Sequence, residues 1–276
     1  MMSEGTKRRK VEEPASPAPA AGAGGTPAMV STPARAPAPA AAAEAATPTA
    51  APTPSKEEEK PTMAVLLTGP LTKDDPAEVV SALSKLERAW YNSQKACKEA
   101  AVIGAPLSIV TILRKWENNE DVLRVATLCM VHLTYYLEDT RNSFQELGAA
   151  EVMAAAMTKF PENADINEFG CNFFYNLFLG AKGAGKKSKE FAAKFAKELN
   201  GIDVIVNTLK KFMDKKHAAL QMNACAALEE LTAKGCRQQV IDAGAVRAVA
   251  PIFDTKPKNK EVERAAKSLM KSLFGK

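Results

Sequence analysis

DINEFGCNFFYNL, residues Asp165 to Leu177, places Ile166, Gly170, Phe173, Phe174 and Leu177 at offsets 0, 4, 7, 8 and 11. That spacing lines one face of an α-helix. Three other segments repeat it: Val122, Ala126, Cys129, Met130 and Leu133; Leu220, Ala224, Ala227, Leu228 and Leu231; Val262, Ala266, Leu269, Met270 and Leu273. Eighteen or nineteen residues ahead of each segment stands a glycine, Gly104, Gly148, Gly201 or Gly244, at intervals of 44, 53 and 43 residues. After each glycine runs a shorter apolar stretch of helical period (GAPLSIVTILRKW, GAAEVMAAAMTKF, GIDVIVNTLKKF, GAVRAVAPIFDT) that ends in a polar or Pro-marked turn. Four copies in phase predict a unit of about 43 residues, built from a short helix, a glycine, a second helix and a longer third helix. One such unit cannot bury its apolar face alone, but stacked neighbours can.

The periodic part does not fill the chain. Residues 1–60 are almost wholly Ala, Pro, Gly, Thr and charged side chains, a composition that buries too little apolar surface to offset its ordering entropy. They are expected to be a disordered tail, with residues 61–276 as the folded domain. The tail holds seven basic and seven acidic residues, so the net charge of +5 belongs to the folded part. There it is uneven: residues 61–146 carry nine basic and eleven acidic residues, 179–216 ten lysines against four acids, and 244–276 eight basic residues against three. Within the tail, Lys7, Arg8, Arg9 and Lys10 form a basic run before Val11-Glu12-Glu13-Pro14. It resembles a monopartite nuclear localisation signal, the form a nuclear import receptor takes. Ser16, Thr26, Thr32, Thr47 and Thr53 each precede proline, which makes them candidates for proline-directed phosphorylation.

The repeat unit resembles the armadillo family. Arg237-Gln-Gln-Val-Ile-Asp-Ala-Gly-Ala-Val246 is close to that family's junction, N-R-Q-x-h-x-x-A-G-A-h, and the residues from Asp165 match its third helix down to the terminal Asn176-Leu177. The likeness covers about residues 90–276, and Val79 to Leu86 followed by Asn92 to Ala105 reads as a degenerate N-terminal cap. It implies an all-α, right-handed α-solenoid of about four repeats, whose third helices line a concave groove that grips extended peptides. The family's ladder asparagines fall here on His132, Asn176, Glu230 and Ser272, and its tryptophan sites on Leu128, Asn172, Ala226 and Ser268, so one asparagine and no tryptophan is kept. Those amides bond a peptide's backbone, and paired tryptophans hold lysine stems, so the pattern argues against a nuclear import receptor. Arg124, Glu168, Met222 and Arg264, one turn earlier, are expected to share the floor.

Catalytic sets do not converge. His132 has no Cys or Ser placed to share it, and His217 lies in polar Asp214-Lys-Lys-His217. The neighbours Glu229-Glu230 and Asp74-Asp75 point to different sides of a helix or a turn. Trp90-Tyr91 and Tyr135-Tyr136 read as packing at helix ends. Cys97, Cys129, Cys171, Cys225 and Cys236 are odd in number, without a C-x-x-C pair, and read as small buried hydrophobes in a reducing compartment. Gly180 to Lys186 begins the phosphate-binding pattern G-x-x-x-x-G-K-[S/T], but Lys187 stands at the hydroxyl position, no strand precedes it, and a third helix does. The second interval exceeds the others by about ten residues and the excess falls at Gly180 to Ser188, so the segment with Lys182, Lys186, Lys187 and Lys189 reads as a flexible basic insertion.

The chain is accordingly expected to be a non-enzymatic adaptor without cofactor or metal, binding a protein partner in its groove, in the nucleus or shuttling with the cytoplasm. No run of apolar residues suits a membrane span or a signal peptide. Two alternatives stand beside it: nucleic-acid or phospho-segment binding through the lysine-rich C-terminal half, and, by the resemblance, a nucleotide-exchange cofactor for a heat-shock chaperone.

Overall fold

The structure, a computed structural model, describes residues 63–179, 186–254 and 259–275. The basic run Lys7 to Lys10, the Ser/Thr-Pro pairs and the tail as a whole lie outside them, as does Lys182. Among the described residues there are helices and no strands. An N-terminal pair, α1 (Met63–Thr72) and α2 (Pro76–Trp90), precedes four three-helix units. These are α3 (Gln94–Val102), α4 (Ala105–Lys115) and α5 (Glu120–Tyr136); α6 (Glu138–Glu146), α7 (Ala149–Lys159) and α8 (Ala164–Phe178); α9 (Lys186–Lys197), α10 (Gly201–Lys211) and α11 (Ala218–Leu231); α12 (Arg237–Asp242), α13 (Ala245–Asp254) and α14 (Lys260–Phe274).

The third helices stack in one row, α2 on α5 on α8 on α11 on α14, and the second helices in another, α1 on α4 on α7 on α10 on α13. The cap is therefore α1–α2, a second and a third helix without a first. The stretch from Asn92 to Ala105, expected to belong to the cap, is instead the opening of the first full repeat. Each third helix begins two residues before the first position of its apolar stripe, and every stripe position is buried except Met270, which is partly buried at the C-terminal end of the stack. Gly170 is needed because a methyl there would overlap the Sδ of Met157; the other repeats put alanine at that offset. A third helix with its whole apolar face covered is what makes each unit dependent on its neighbour.

Two devices fix the repeat geometry. Gly104, Gly148 and Gly244 adopt left-handed φ of 84°, 71° and 86° just ahead of the second helices, but in the third unit that place belongs to Asn200, with φ of 49°. Asparagine tolerates this region, and Gly201 already lies in α10. Counted on the left-handed residues, the intervals become 44, 52 and 44, more even than those between the glycines. Asn119, Asn163 and Asn259 cap the third helices, their side chains accepting from the amides of Val122, Ile166, and Glu261 and Val262 respectively. The third unit instead opens α11 with a single 3-10 turn, Lys215–His217, capped by Asp214.

Between units, the last residue of the second helix reaches back to the preceding turn. Lys115 pairs with Asp74 at 3.0 Å, Lys159 bonds Asn118, and Lys211 bonds Glu162. Asn163 adds a bond of 2.6 Å to Glu120. These contacts are exposed, so each contributes little free energy; they set register between repeats whose apolar stripes do the holding. The long second interval is shared: Lys186, Lys187 and Lys189, expected in a loop, lie in the first turns of α9, a helix of 12 residues where α3 and α6 have 9.

Candidate functional site

The third-helix row has one face on the second helices and another turned away from them. On that outer face lie Arg124 and Leu128 of α5, Glu168 and Asn172 of α8, Ala226 and Glu230 of α11, and Ser268 and Ser272 of α14, all half-buried, with Arg264 exposed at the far end. Their offsets of 2, 6 and 10 put them on one side of each third helix. Three of the expected groove residues do not join them: His132 is 9% exposed, Asn176 0% and Met222 9%.

For His132 and Asn176 the reason is the partner that the preceding third helix offers at their offset, whereas Met222 shares its offset with Arg124 and Glu168 and differs from them only in its burial. At about 100° per residue, the tenth offset of each stripe stands roughly a quarter-turn from the core face, which turns it toward the preceding third helix. His132 on α5 has its Nε2 3.2 Å from Glu87 on α2. Asn176 on α8 donates from Nδ2 to the Val131 carbonyl at 3.4 Å and the Thr134 hydroxyl at 3.3 Å, both on α5, leaving its Oδ1 without a partner among the described residues. So in the first two repeats the position that a ladder asparagine occupies serves to join third helices, and Asn176 is not offered to a ligand.

Glu230 holds the same offset on α11 and therefore leans toward α8. Burial, opposed by Lys234 and reinforced by Glu229, pushes its carboxyl up to about 7. Burial, then the neighbouring Asp165, does the same to Glu168. Near Glu230 stands Tyr175, whose phenol is held above its ordinary value by burial and by Glu230, Glu229 and Tyr135. Among the described residues neither Glu168 nor Glu230 has a hydrogen bond or an ion pair. Their neighbours are engaged: Asp165 lies 3.9 Å from Arg124, and Glu229 accepts from Ser268 at 2.8 Å. Tyr135 and Tyr136 meet edge to face at 4.8 Å, and Tyr91, half exposed rather than packed at a helix end, meets His132 in the same way at 5.6 Å. The middle of the face thus holds two desolvated carboxylates, Glu230 with the Tyr175 phenol near it and Glu168 two turns ahead of Tyr175 on α8. The sequence patterns singled out Glu168 and Glu230 but not Tyr175, although its place one residue before Asn176, on the helix's outer side, carried that signal.

Elsewhere, three lysines of the basic segment are paired: Lys194 lies 3.3 Å from Glu151, Lys186 3.6 Å from Glu190, and Lys211 bonds Glu162. Asp74 and Asp75 are structural, the first on Lys115 and the second capping α2. His217 packs edge-on to Phe212 at 5.0 Å, with Asp214 at 3.7 Å. All five cysteines are buried and free. Thr158, Pro161, Val204 and Lys211 line a shallow cleft between α7 and α10, on the second-helix row and away from the outer face.

Three-helix units with their third helices in one row, each second helix preceded by a left-handed residue, define the arrangement. An engineered protein of known crystal structure aligns with 78% of this chain and 81% of its own at a TM-score of 0.65 and 17% identity. The fold is an armadillo-like α-solenoid. A second engineered protein aligns over 77% of this chain and 79% of its own, with a TM-score of 0.63 and 17% identity. A designed armadillo repeat protein in complex with the peptide (KR)4 aligns over 77% of this chain and all of its own at a TM-score of 0.48 and 15% identity. No family model and no curated protein matches the chain.

Proposed function

We propose that this chain is a non-enzymatic binding scaffold that takes an extended segment of another protein across the outer face of its third helices, and that it works in the nucleus. The observation that carries the reading is the pair Glu168 and Glu230: half-buried carboxylates on one face, without a hydrogen bond or ion pair among the described residues, with only Lys234 in the surroundings of Glu230 to offset their burial. Burying a charge without compensation is costly, so a fold that keeps two such groups on one open face gains when a ligand supplies the missing partners. Half-buried Asn172, between the turns that carry Arg124 and Glu230, adds an amide able to bond a peptide backbone. The nuclear part rests on Lys7 to Lys10 alone.

The test is affinity capture from cells, with mass spectrometry, comparing the full chain with its Glu168→Ala, Asn172→Ala, Glu230→Ala variant. The partners held by the parent chain are expected to fall away in the variant, with circular dichroism showing the helical fold retained. Retention of every partner would remove the face from the account. Loss of nuclear accumulation on changing Lys7, Arg8, Arg9 and Lys10 to alanine tests the location separately.

A further inference from the structure

We propose that the edge along which the second helices begin is a second docking surface, and that it takes a segment of another protein with apolar side chains at one end and lysines or arginines along the rest. None of its residues belongs to the third-helix face.

The repeats differ there at one place. Each left-handed residue heads a second helix, and the second helices are stacked in a row, so the four junctions follow one another along one edge, roughly 10 Å apart. Two residues before the left-handed position and three after it, the second junction has Glu146 and Glu151, the third Glu198 and Asp203, and the fourth Asp242 and Arg247. The first junction has Val102 and Leu107. They are 87% and 56% exposed, and Ile103 between them is 43% exposed. Positions that three repeats give to charged residues are thus apolar in one, around the same left-handed turn. An apolar cluster rimmed by charge is the form a contact surface takes.

The next two junctions set the partner's chemistry. Glu151 is already on Lys194, but Glu146, Glu198 and Asp203 are exposed and have no side-chain hydrogen bond or ion pair among the described residues. The third junction lacks a cation for a local reason. In α4 the next-to-last residue, Arg114, reaches over Gly148 to the Leu147 carbonyl at 2.6 Å, and in α10 the Nζ of Lys210 stands 3.7 Å from a methyl placed on Gly244. In α7 that place belongs to Thr158, whose hydroxyl donates to Ala154 of its own helix at 2.8 Å. Glu198 and Asp203 are therefore left for a cation from outside. An apolar anchor on the first junction, with cations one and two helix spacings further on, corresponds to steps of about three and six residues of extended chain. Other occupants fit less well. Three side chains are few against the roughly 20–30 residues a side of a stable dimer, and the same acids repel an anionic lipid surface.

A library of random twelve-residue peptides displayed on phage is selected on the full chain and depleted on its Val102→Glu, Leu107→Glu variant, which carries there what the second repeat carries as Glu146 and Glu151. Enriched peptides are expected to place Lys or Arg about three and six residues from their apolar side chains. They should bind the parent at least about tenfold more tightly than that variant, and about threefold more tightly than a Glu146→Gln, Glu198→Gln, Asp203→Asn variant. All five substituted side chains are exposed, so circular dichroism should show the helical fold retained in both. Peptides that do not distinguish parent from variant, or that carry no cations, overturn the proposal. So does self-association in sedimentation that Val102→Glu, Leu107→Glu abolishes, which assigns the edge to a second copy, or flotation with phosphatidylserine vesicles lost in the same way, which assigns it to lipid. The selected peptides are expected to bind the Glu168→Ala, Asn172→Ala, Glu230→Ala variant as tightly as the parent. Loss of binding there overturns the edge as their site, while the third-helix reading is decided by its captured partners alone.

Discussion

Gly201 on α10 sits so close to Phe195 on α9 that a methyl added to it would overlap three carbons of that fully buried ring. The glycine of the third repeat is thus held by packing, whereas the left-handed turn before it belongs to Asn200. Gly201→Ala is expected to cost about 1–3 kcal/mol by overpacking, and Asn200→Ala about 1 kcal/mol by backbone strain. Asn200→Gly should be close to neutral. Urea denaturation of the three variants separates these roles; equal losses for Gly201→Ala and Asn200→Gly would contradict them.

Asn163 closes the first turn of α8 with a bond of 2.8 Å from the Ile166 amide, and its own amide reaches Glu120. Asn163→Ala should lower stability by about 1 kcal/mol. Asn163→Asp keeps the cap but turns a donor into a second negative charge beside Glu120, so it should recover only part of the loss. A melting temperature for both, against the parent, is sufficient.

Glu168 and Glu230 are raised by burial from the ordinary glutamate value of 4.5 to about 7. Between those values the folded chain binds more protons than the unfolded one, so stability from these two groups is full below about pH 4.5 and is lost as pH rises through 7. The melting temperature of the parent should therefore fall between pH 5 and pH 8 more than that of the Glu168→Gln, Glu230→Gln variant. A cationic ligand has the opposite preference, since it needs both groups ionised, and should bind more tightly at pH 8 than at pH 6.

Burial pushes the Cys97 thiol up to about 11 and Cys225 up to about 12, and raises Cys129, Cys171 and Cys236 as well. Since the thiolate is the reactive form, all five should resist a thiol-reactive dye in the folded chain and react together once guanidinium unfolds it. A thiol that reacts quickly without denaturant would mark a unit that opens locally.

Much of this fold was legible because the burial that holds it together is periodic. The offsets 0, 4, 7, 8 and 11 report that burial directly, and the structure covers nearly all of them. The glycine register misled in one unit because Asn200 and Gly201 are adjacent and both suit the junction, one by tolerating positive φ and the other by lacking a Cβ. The site was harder to read. His132, Asn176 and Glu230 share one offset in the stripe, yet the first two are tied to a neighbouring helix and the third is not, because what each meets is set by residues about forty positions away: Glu87 for His132, Val131 and Thr134 for Asn176. The cap was misjudged for a related reason: α1, at the edge of the low-complexity tail, shows its role only once it is seen lying on α4.

The rungs formed by Lys115, Lys159 and Lys211 all run in one direction, from a later repeat to an acceptor in an earlier one. A ribosome releases those acceptors first. For these three rungs each new unit emerges onto a surface whose acceptor is already in place. Synthesis from the N-terminus, where domains fold first, thus meets a template laid down in the order of its own manufacture, and growth of the stack proceeds like a zip drawn from one end.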